Sequence, residues 1–149
     1  LNAYTKVFDG DLMDASVLLM ANVGYKDAHD PRVKSTYALV CERLSRNGLL
    51  NRYEPEPDDN RKPEGTFGIC SFWAIEQLAQ RGELAEAEKQ FAHLLSFGND
   101  VGLFAEEIEA ETGDALGNFP QAFTHVGLIN AALAIERARR VAQTGKQPT

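Results

Sequence analysis

The residues best suited to chemistry lie in one stretch, 99–125, with the sequence NDVGLFAEEIEAETGDALGNFPQAFTH. It holds four glutamates, three glycines, one proline and one histidine. A single glutamate in such a stretch is typical of a solvated surface carboxylate, whereas the group indicates a carboxylate site at the end of a scaffold. The four are Glu106, Glu107, Glu109 and Glu111.

This stretch reads as neither helix nor strand, although a helical pattern precedes it and another follows. Connections of this length inside a compact domain are uncommon and are usually either functional or disordered. Aromatic and aliphatic residues recur through it, among them Leu103, Phe104 and Phe119. Because a disordered segment is poor in such residues, the pattern favours an ordered, functional loop.

Apolar residues at helical spacing predict five helices that would position this loop. Their approximate ranges are 11–20, 31–47, 66–81, 84–97 and 120–141. The first half of the last helix is almost wholly apolar, which predicts burial on most sides. The sequence has no alternating run of strand length. We therefore expect an all-α fold of stacked helical hairpins, with the long loops on one side.

The length, the net charge and the distribution of apolar residues restrict the classes of protein to which this chain could belong. A length of 149 residues predicts one domain, and a net charge of −7 argues against a nucleic-acid partner, because no basic face is available for phosphates. The sequence has no apolar run long enough to span a membrane. Its start does not read as a signal peptide and lacks an initiator methionine, so the chain could begin partway through a longer protein.

The two cysteines, Cys41 and Cys70, stand among apolar residues on predicted helices and are interpreted as buried free thiols. No Cys or His spacing of the kind that holds zinc occurs, so neither a metal site nor a cofactor is predicted. Unpaired thiols fit a cytoplasmic location.

The loop sequences carry a family resemblance. The segments RYEPEPDD, EGTFGICSFW and GLFAEEIEAETGDALGNFPQAFTHVGLINAA resemble the C-terminal part of glycoside hydrolase family 15, which holds glucoamylases, glucodextranases and some microbial trehalases. The match covers about 12–139, and the order AEE, TG, NFPQAF, TH is specific to the bacterial and archaeal branch. The resemblance implies part of an (α/α)6 toroid, two concentric rings of helices with the active site in a funnel of loops. Residues 1–149 are then the C-terminal portion of one catalytic domain.

The resemblance also implies an inverting hydrolase of α-glucosides or oligosaccharides. Such enzymes hold a general acid and a general base roughly 6.5–9.5 Å apart. The segment Phe104-Ala105-Glu106-Glu107, followed by Thr112-Gly113, matches the family's base motif and places the base on Glu106. The segment before Glu106 has no match to the family's general acid. We therefore expect the chain to be incomplete, and inactive by itself.

The remaining candidate site residues are substrate-binding. Arg52 matches the family arginine that binds hydroxyls of the nonreducing-end sugar, although a surface pair with Glu54 or Asp58 is the alternative from sequence alone. Glu64 is either a polar sugar contact or a carboxylate favoured at a helix start. Phe67 is the better candidate for stacking on a sugar, because Trp73 has the sequence context of a core residue. The same set includes Tyr53, Glu107 and His125, the last of which we expect to orient loop groups by hydrogen bonding.

Three further residues complete the expectations about individual positions. Asp14 either faces the funnel or caps a helix, whereas His29 and His93 are expected at the surface.

A glucoamylase-like hydrolase is the main expectation, with a trehalase of the same family as the alternative. A non-catalytic module of helical hairpins, from another class of protein, is disfavoured because no 34-residue repeat occurs. The apolar segment 126–133 also predicts self-association of the isolated chain.

Overall fold

The computed structural model describes residues 2–56 and 64–145, which form a helical array with two small antiparallel sheets. A 3-10 turn, Ala15–Leu18, continues into the short helix α1, Leu19–Asn22. The longer helices are α2 (Pro31–Leu44), α3 (Gly68–Gln80), α4 (Leu84–Leu95) and α5 (Ala122–Thr144). The strands are β1 (Ser45–Arg46), β2 (Leu49–Leu50), β3 (Thr66–Phe67), β4 (Glu107–Ile108) and β5 (Ala115–Leu116).

The first helix starts later than its apolar pattern predicts. Asp14 has an extended backbone, and its carboxylate accepts a hydrogen bond from the backbone N of Ser16 at 2.8 Å. Asp14 also forms an isolated antiparallel bridge with Tyr53. An N-cap carboxylate satisfies an amide that the first turn leaves unpaired, so the helical turn begins after Asp14 and not at Asp11. Of the two expectations for Asp14, capping is therefore confirmed.

Helix α2 begins as predicted, with Asp30 as N-cap and Pro31 as the first helical residue. It ends at Leu44, however, and the prediction that it continues to 47 is wrong. Asn47 and Gly48 have φ values of 48° and 80° and form the two-residue turn between β1 and β2. An Asn-Gly pair with both φ angles positive is the preferred connection between the strands of a tight hairpin. The chain therefore forms a hairpin turn at these two residues, and the helix ends before them.

Helix α3 is the centre of the fold, because every residue from Gly68 to Ala79 is buried. The 3-10 turn and β2 pack against it, as do α4 and α5. Trp73 lies in this core with 7% of its surface exposed, which confirms its interpretation as a packing residue. Gly127 of α5 crosses α3 so closely that a Cβ on it would lie 2.6 Å from Ile69 Cδ1. The close crossing fixes the start of α5 against the start of α3.

Helix α5 is less buried than its composition predicts. Only Thr124, Gly127, Ala131 and Ile135 are buried along it. Val126, Ile129 and Leu133 expose about half of their surface, at 49%, 56% and 48%. The prediction of burial on most sides is therefore wrong, because the face opposite α3 has no neighbour among the described residues. Self-association through this face stays a prediction.

The cysteines are both free thiols, with Cys70 buried and Cys41 half-buried. Burial raises the pKa of the Cys70 thiol to about 12 and also raises that of Cys41, so both stay protonated at neutral pH. His29 and His93 are exposed, as expected. Within 2–56 and 64–145, no helix has both the length and the apolar character needed to cross a membrane. The cytoplasmic location stays a prediction from the thiols alone.

A buried carboxylate near the end of α3 makes stability depend on pH. Glu76 is 7% exposed, and burial raises its pKa to about 7 from an ordinary value of 4.5. The folded state therefore holds this proton to higher pH than the unfolded state, and stability falls as pH rises from 4.5 through 7. We expect the stabilising effect of Glu76→Gln, measured by urea unfolding, to grow by about 3 kcal/mol between pH 4 and pH 8.

Glu86→Gln is the matched control for this series, because Glu86 is exposed on α4 and has little solvation to lose. A difference between Glu76→Gln and the unsubstituted chain that does not change with pH would contradict the assignment of a buried, destabilising carboxylate.

Candidate active site

A three-stranded sheet that the sequence did not predict folds the 99–125 loop onto the start of α3. Strand β4 pairs with β3 on one side and with β5 on the other, both antiparallel. The register places Phe67 opposite Glu107 and Glu107 opposite Leu116. The hydroxyl of Thr66 donates to the carbonyl of Ile108 at 2.7 Å. The sheet thus brings the glutamates of the loop next to the segment that enters α3.

Glu106 is half-buried and is held through both its backbone and its side chain. Its backbone N donates to Asn118 O at 2.9 Å, and its carbonyl accepts from the backbone N of Gly68, the first residue of α3, at 3.2 Å. Its Oε2 accepts from the backbone N of Asn118 at 3.1 Å and from Asn118 Nδ2 at 2.8 Å. Both of these side-chain hydrogen bonds go to Oε2, so the carboxylate has a fixed orientation, and Oε1 has no hydrogen-bond partner among the described residues.

Gly117 allows the chain to pass over this carboxylate. Its φ is 68°, and a Cβ built on it would lie 2.9 Å from Glu106 Oε2. Any other residue would be strained by the backbone and would also press on the carboxylate. The Gly117-Asn118 pair therefore forms a bracket around one oxygen of Glu106.

Glu107, the next residue, is held by the segment that enters α3 and not by Asn118. Its Oε2 accepts from the backbone N of Gly65 at 2.8 Å. Burial raises the pKa of Glu107, the Gly65 amide opposes that rise, and the negative charges of Glu64 and Glu106 add to it. Two adjacent glutamates therefore have different environments, one bracketed by Asn118 and one bound to the entry of α3.

Arg52 forms a different pair from either one considered from sequence. Its Nη1 donates to Asp14 Oδ1, and its guanidinium lies 5.9 Å from the centroid of the Trp73 ring. The alternative, a pair with Glu54, does not form, because Glu54 binds Arg43 and the backbone N of Met13. Asp58 lies outside the described residues. The Asp14 carboxylate and the Trp73 ring fix the guanidinium, a planar group with five donors.

Tyr53, Glu64 and Phe67 lie along the entry to the sheet. Tyr53 Oη donates to Glu64 Oε1 at 3.4 Å, and Glu64 is exposed. The alternative that Glu64 is a helix-start carboxylate is wrong, because β3 separates it from α3 and the first turn of α3 has no acidic residue. Phe67 is half-buried and packs against the core cluster that contains Trp73. Its role in stacking on a sugar stays a prediction.

His125 supports the loop from the first turn of α5. Its Nδ1 donates to Gln121 O at 2.7 Å, and its Nε2 accepts from the backbone N of Phe104 at 3.4 Å. The ring also meets the edge of Phe104, with 5.7 Å between centroids. Both ring nitrogens are therefore engaged in positioning the segment that leads into Glu106, as expected of an orienting residue.

Sequence reasoning missed two residues of this region. Asn118 holds one oxygen of Glu106 by two hydrogen bonds. Its position after a glycine in the loop could have indicated this role, because an asparagine side chain in a turn often hydrogen-bonds nearby groups. Phe123 is 56% exposed, and its ring meets that of Trp73 edge to face, with 6.1 Å between the centroids. An aromatic residue in the first turn of a helix has no distinctive signal, so Phe123 could not be found from its spacing.

The predicted residues fall into two connected groups. Tyr53, Glu64 and Glu107 line the sheet beside Glu106, whereas Arg52 belongs with Trp73 and Phe123. The start of α3 joins the groups, since Gly68 binds the backbone of Glu106 and also lies against Thr124 of α5. The region therefore contains an oriented carboxylate, a fixed arginine guanidinium and an exposed aromatic ring.

Comparison with known proteins identifies similar sequences and structures. Residues 81–133 match the family model described as glycosyl hydrolases family 15. The chain is 43% identical over 142 residues to a trehalase of Mycolicibacterium smegmatis and 35% identical over 137 residues to a trehalase of Thermoplasma acidophilum. The chain thus resembles glycosyl hydrolase family 15 over residues 81–133 and named trehalases over nearly its whole length. These matches cover 94% and 92% of the chain but only 21% and 24% of the two trehalases. The chain thus spans about a fifth to a quarter of the length of these relatives.

Solved structures agree in fold with this chain. A structure titled "Glycosidase Wild Type" superposes with a TM-score of 0.76 at 18% identity, over 91% of this chain and 39% of that one. A bacterial glucoamylase complexed with acarbose superposes with a TM-score of 0.69 at 20% identity, over 85% of this chain and 21% of that one. The predicted fold class, an all-α part of an (α/α)6 toroid, is confirmed by these similarities.

Proposed function

We propose that the protein carrying this chain is an inverting glycoside hydrolase that acts on trehalose, with Glu106 as its general base. The observation that carries the proposal is the bracket on Glu106. Asn118 donates twice to Oε2, at 3.1 and 2.8 Å, and the loop is held to the first residue of α3 by a backbone hydrogen bond. A general base must accept a proton from a positioned water, and a carboxylate with one fixed and one available oxygen meets that need.

In the proposed reaction a water molecule bound to Oε1 of Glu106 attacks the anomeric carbon. Glu106 takes the proton of that water as the new bond forms, while a carboxylic acid on the opposite face of the sugar protonates the departing oxygen. Residues 1–149 supply the base and, as we propose, are the C-terminal portion of a single catalytic domain. The acid then comes from a part of that domain outside these residues.

The remaining residues hold the sugar in this proposal. Arg52 has its fork oriented by Asp14 and donates to hydroxyls of the nonreducing-end sugar. Phe67 and Phe123 offer ring surface to the apolar face of a pyranose, the latter with more than half of its surface exposed. Tyr53, Glu64, Glu107 and His125 complete the set, with His125 acting through the loop and not on the substrate.

The choice of substrate follows from the relatives. A glucoamylase-like activity was the main expectation from sequence, and trehalase was its alternative. Curated relatives from four genera that match over 87% or more of the chain are named trehalase. The glucoamylase with acarbose is 20% identical and supports only the fold. The alternative is therefore the better supported of the two, and the non-catalytic hairpin module has no observation in its favour.

The substrate is tested with the protein made from the complete reading frame in which these residues lie. Initial rates of glucose release are measured on trehalose, maltose and a maltooligosaccharide under the same conditions. We expect trehalose to have the highest kcat/KM by a factor of at least about 100, since a polar site rejects a poorly matched hydroxyl pattern. A higher kcat/KM on maltose would instead favour glucoamylase activity.

Asn118 gives a further prediction about the same site. Asn118→Ala removes the Nδ2 hydrogen bond to Glu106 but keeps the backbone one. A hydrogen bond to a charged group contributes about 1.5–3 kcal/mol, so we expect kcat to fall roughly 10–100-fold with little change in KM. The measurement is steady-state kinetics on trehalose. An equal loss for Asn99→Ala, at the far end of the loop, would mean that the effect is only one of loop stability.

A further inference from the structure

The turn between β4 and β5, residues 109–114, is bound by a segment that lies far away in the sequence. Asn47 Nδ2 donates to the carbonyl of Ala110 at 2.9 Å, and 63 positions separate the two residues. Within the turn, the backbone N of Glu109 donates to Asp114 O at 2.8 Å. The hydrogen bond from Asn47 therefore joins a turn that is otherwise closed on itself to another part of the fold.

Asn47 is held in place for this contact. It is the first residue of the two-residue turn between β1 and β2, with a φ of 48°, and Gly48 follows with a φ of 80°. Asparagine and glycine are the residues that tolerate such angles most readily. After the turn, Leu49 is 1% exposed, and the backbone N of Leu50 donates to Ser71 Oγ of α3 at 3.0 Å. The hairpin is thus anchored in the core, and its exposed tip carries the Asn47 amide.

His93, in the last turn of α4, binds the backbone of the same residue. Its Nε2 lies 3.1 Å from Asn47 O, and because a carbonyl oxygen only accepts, Nε2 is the donor. A Cβ on Gly48 would lie 3.3 Å from His93 Cδ2, so the imidazole ring lies against the tip of the hairpin. The ring also meets that of Phe97, with 5.1 Å between centroids. Because Nε2 carries a proton in one neutral tautomer and in the imidazolium, this contact forms in either charge state.

Strand β5, which leads to Asn118, depends on the turn that precedes it. Both of its residues, Ala115 and Leu116, are exposed, and β4 is its only partner strand within 2–56 and 64–145. A strand this short adds little stability by its own pairing. The position of Asn118, and with it the two hydrogen bonds to Glu106, therefore depends on how firmly the turn is held.

We propose that Asn47 is a positioning residue for the candidate active site: its amide, held by His93, fixes the β4–β5 turn so that Asn118 keeps Glu106 oriented. This inference rests on the proposed role of Glu106 as general base. The hydrogen bond from Asn47 to Ala110 is exposed to water, so its contribution to the stability of the whole fold is small. Its loss should therefore lower kcat and leave the unfolding midpoint nearly unchanged. A contact of purely structural importance would do the reverse.

The test variants are chosen so that the hairpin turn survives. Asn47→Gly removes the amide and accepts the positive φ, and Gly-Gly is also a favoured two-residue turn. Asn47→Asp keeps the shape and the turn preference, but it presents a carboxylate oxygen to Ala110 O in place of a donor. Arg46→Gln is the matched control, because the Arg46 side chain lies in the same hairpin and donates to Ser45 O of its own strand.

The kinetic test uses the protein made from the complete reading frame, with trehalose as substrate. We expect Asn47→Gly to lower kcat about 3–10-fold and Asn47→Asp to lower it further, with KM changed by less than about twofold, because one neutral hydrogen bond supplies no more than roughly tenfold. Arg46→Gln should keep the kcat of the unsubstituted enzyme. A kcat for Asn47→Gly equal to that of the Arg46→Gln control would overturn the proposal.

A double substitution asks whether Asn47 acts through Asn118. In Asn118→Ala one hydrogen bond to Glu106 is already lost, so adding Asn47→Gly should lower kcat by less than about twofold more, since residues that act on one group are not additive. Effects on kcat that multiply in full would contradict the proposed route.

His93 provides a test by rescue. His93→Ala removes the donor to Asn47 O, and we expect kcat to fall by roughly 2–5-fold. Glutamine carries an N–H donor near the end of its side chain, so His93→Gln should restore kcat to within about twofold of the unsubstituted enzyme. Equal losses in the two variants would contradict the role given to the His93 hydrogen bond.

Amide hydrogen exchange tests the positioning without reference to the reaction. In the complete protein we expect Asn47→Gly to speed exchange at least about threefold in peptides within 104–118, and to leave peptides of α3 unchanged. Faster exchange in a protein that does not hydrolyse trehalose would mean that the proposed substrate is wrong, while the positioning of the loop by Asn47 stands. Unchanged exchange within 104–118 would overturn the inference, whatever the activity.

Discussion

Replacing Glu106 with glutamine is expected to lower kcat on trehalose by about 10³-fold in the protein made from the complete reading frame. Glutamine has the same shape and can still accept the two hydrogen bonds from Asn118 through its carbonyl oxygen. It cannot take a proton from the attacking water. The loss should therefore fall on kcat, with KM changed by less than about threefold, because the sugar contacts are unaltered.

Glu111→Gln is the matched control for this substitution. Glu111 lies in the turn between β4 and β5, is exposed, and belongs to the same cluster of glutamates. We expect its kcat to stay near that of the unsubstituted enzyme. Activity of Glu106→Gln within tenfold of the unsubstituted enzyme, measured by initial rates of glucose release, would remove Glu106 from the role of base.

The second large effect is on stability and comes from Phe72 of α3. Its side chain is fully buried and its ring meets those of Phe91 and Phe104, each at 6.1 Å between centroids. Phe72→Ala leaves a cavity between α3, α4 and the loop, and we expect it to cost about 3–5 kcal/mol of unfolding free energy. Phe104 is two residues before Glu106, so the same substitution also loosens the segment that carries the base.

Urea unfolding of the 149-residue chain measures this cost, with Phe8→Ala as the control. Phe8 is fully exposed, so its removal should change the unfolding free energy by less than about 0.5 kcal/mol. A cost below about 1 kcal/mol for Phe72→Ala would show that the loop and α4 do not form one core with α3.

The long helices could be predicted from sequence because their signals are local. Asp30-Pro31 marks the start of α2, and Gly82, with a φ of 74°, separates α3 from α4. The strands could not be predicted from sequence, because each has two residues and is too short to show an alternation of apolar and polar residues. The exposure of Val126, Ile129 and Leu133 was also missed, since an apolar sequence predicts burial whether or not a neighbour is present.

The candidate site was predictable only in part. Glu106 was chosen from four glutamates by its match to a family motif, and no property of its own sequence separates it from Glu109. The bracket by Asn118 depends on the β4–β5 turn, which local sequence did not reveal. The pairing of Arg52 with Asp14 joins residues 38 positions apart, and such a contact has no local signal. Buried Glu76 was missed because a glutamate on a helix ordinarily faces water.

Proton NMR of the first glucose released shows whether trehalose is hydrolysed with inversion, as Glu106 acting as a base requires. Trehalose joins two glucose units through two α-anomeric carbons. Attack by water with inversion gives one β-glucose, and the departing unit keeps the α configuration. With the complete protein, before mutarotation, we expect α- and β-glucose in equal amounts. Release of α-glucose alone would show retention, and would contradict a base-assisted attack by water at Glu106.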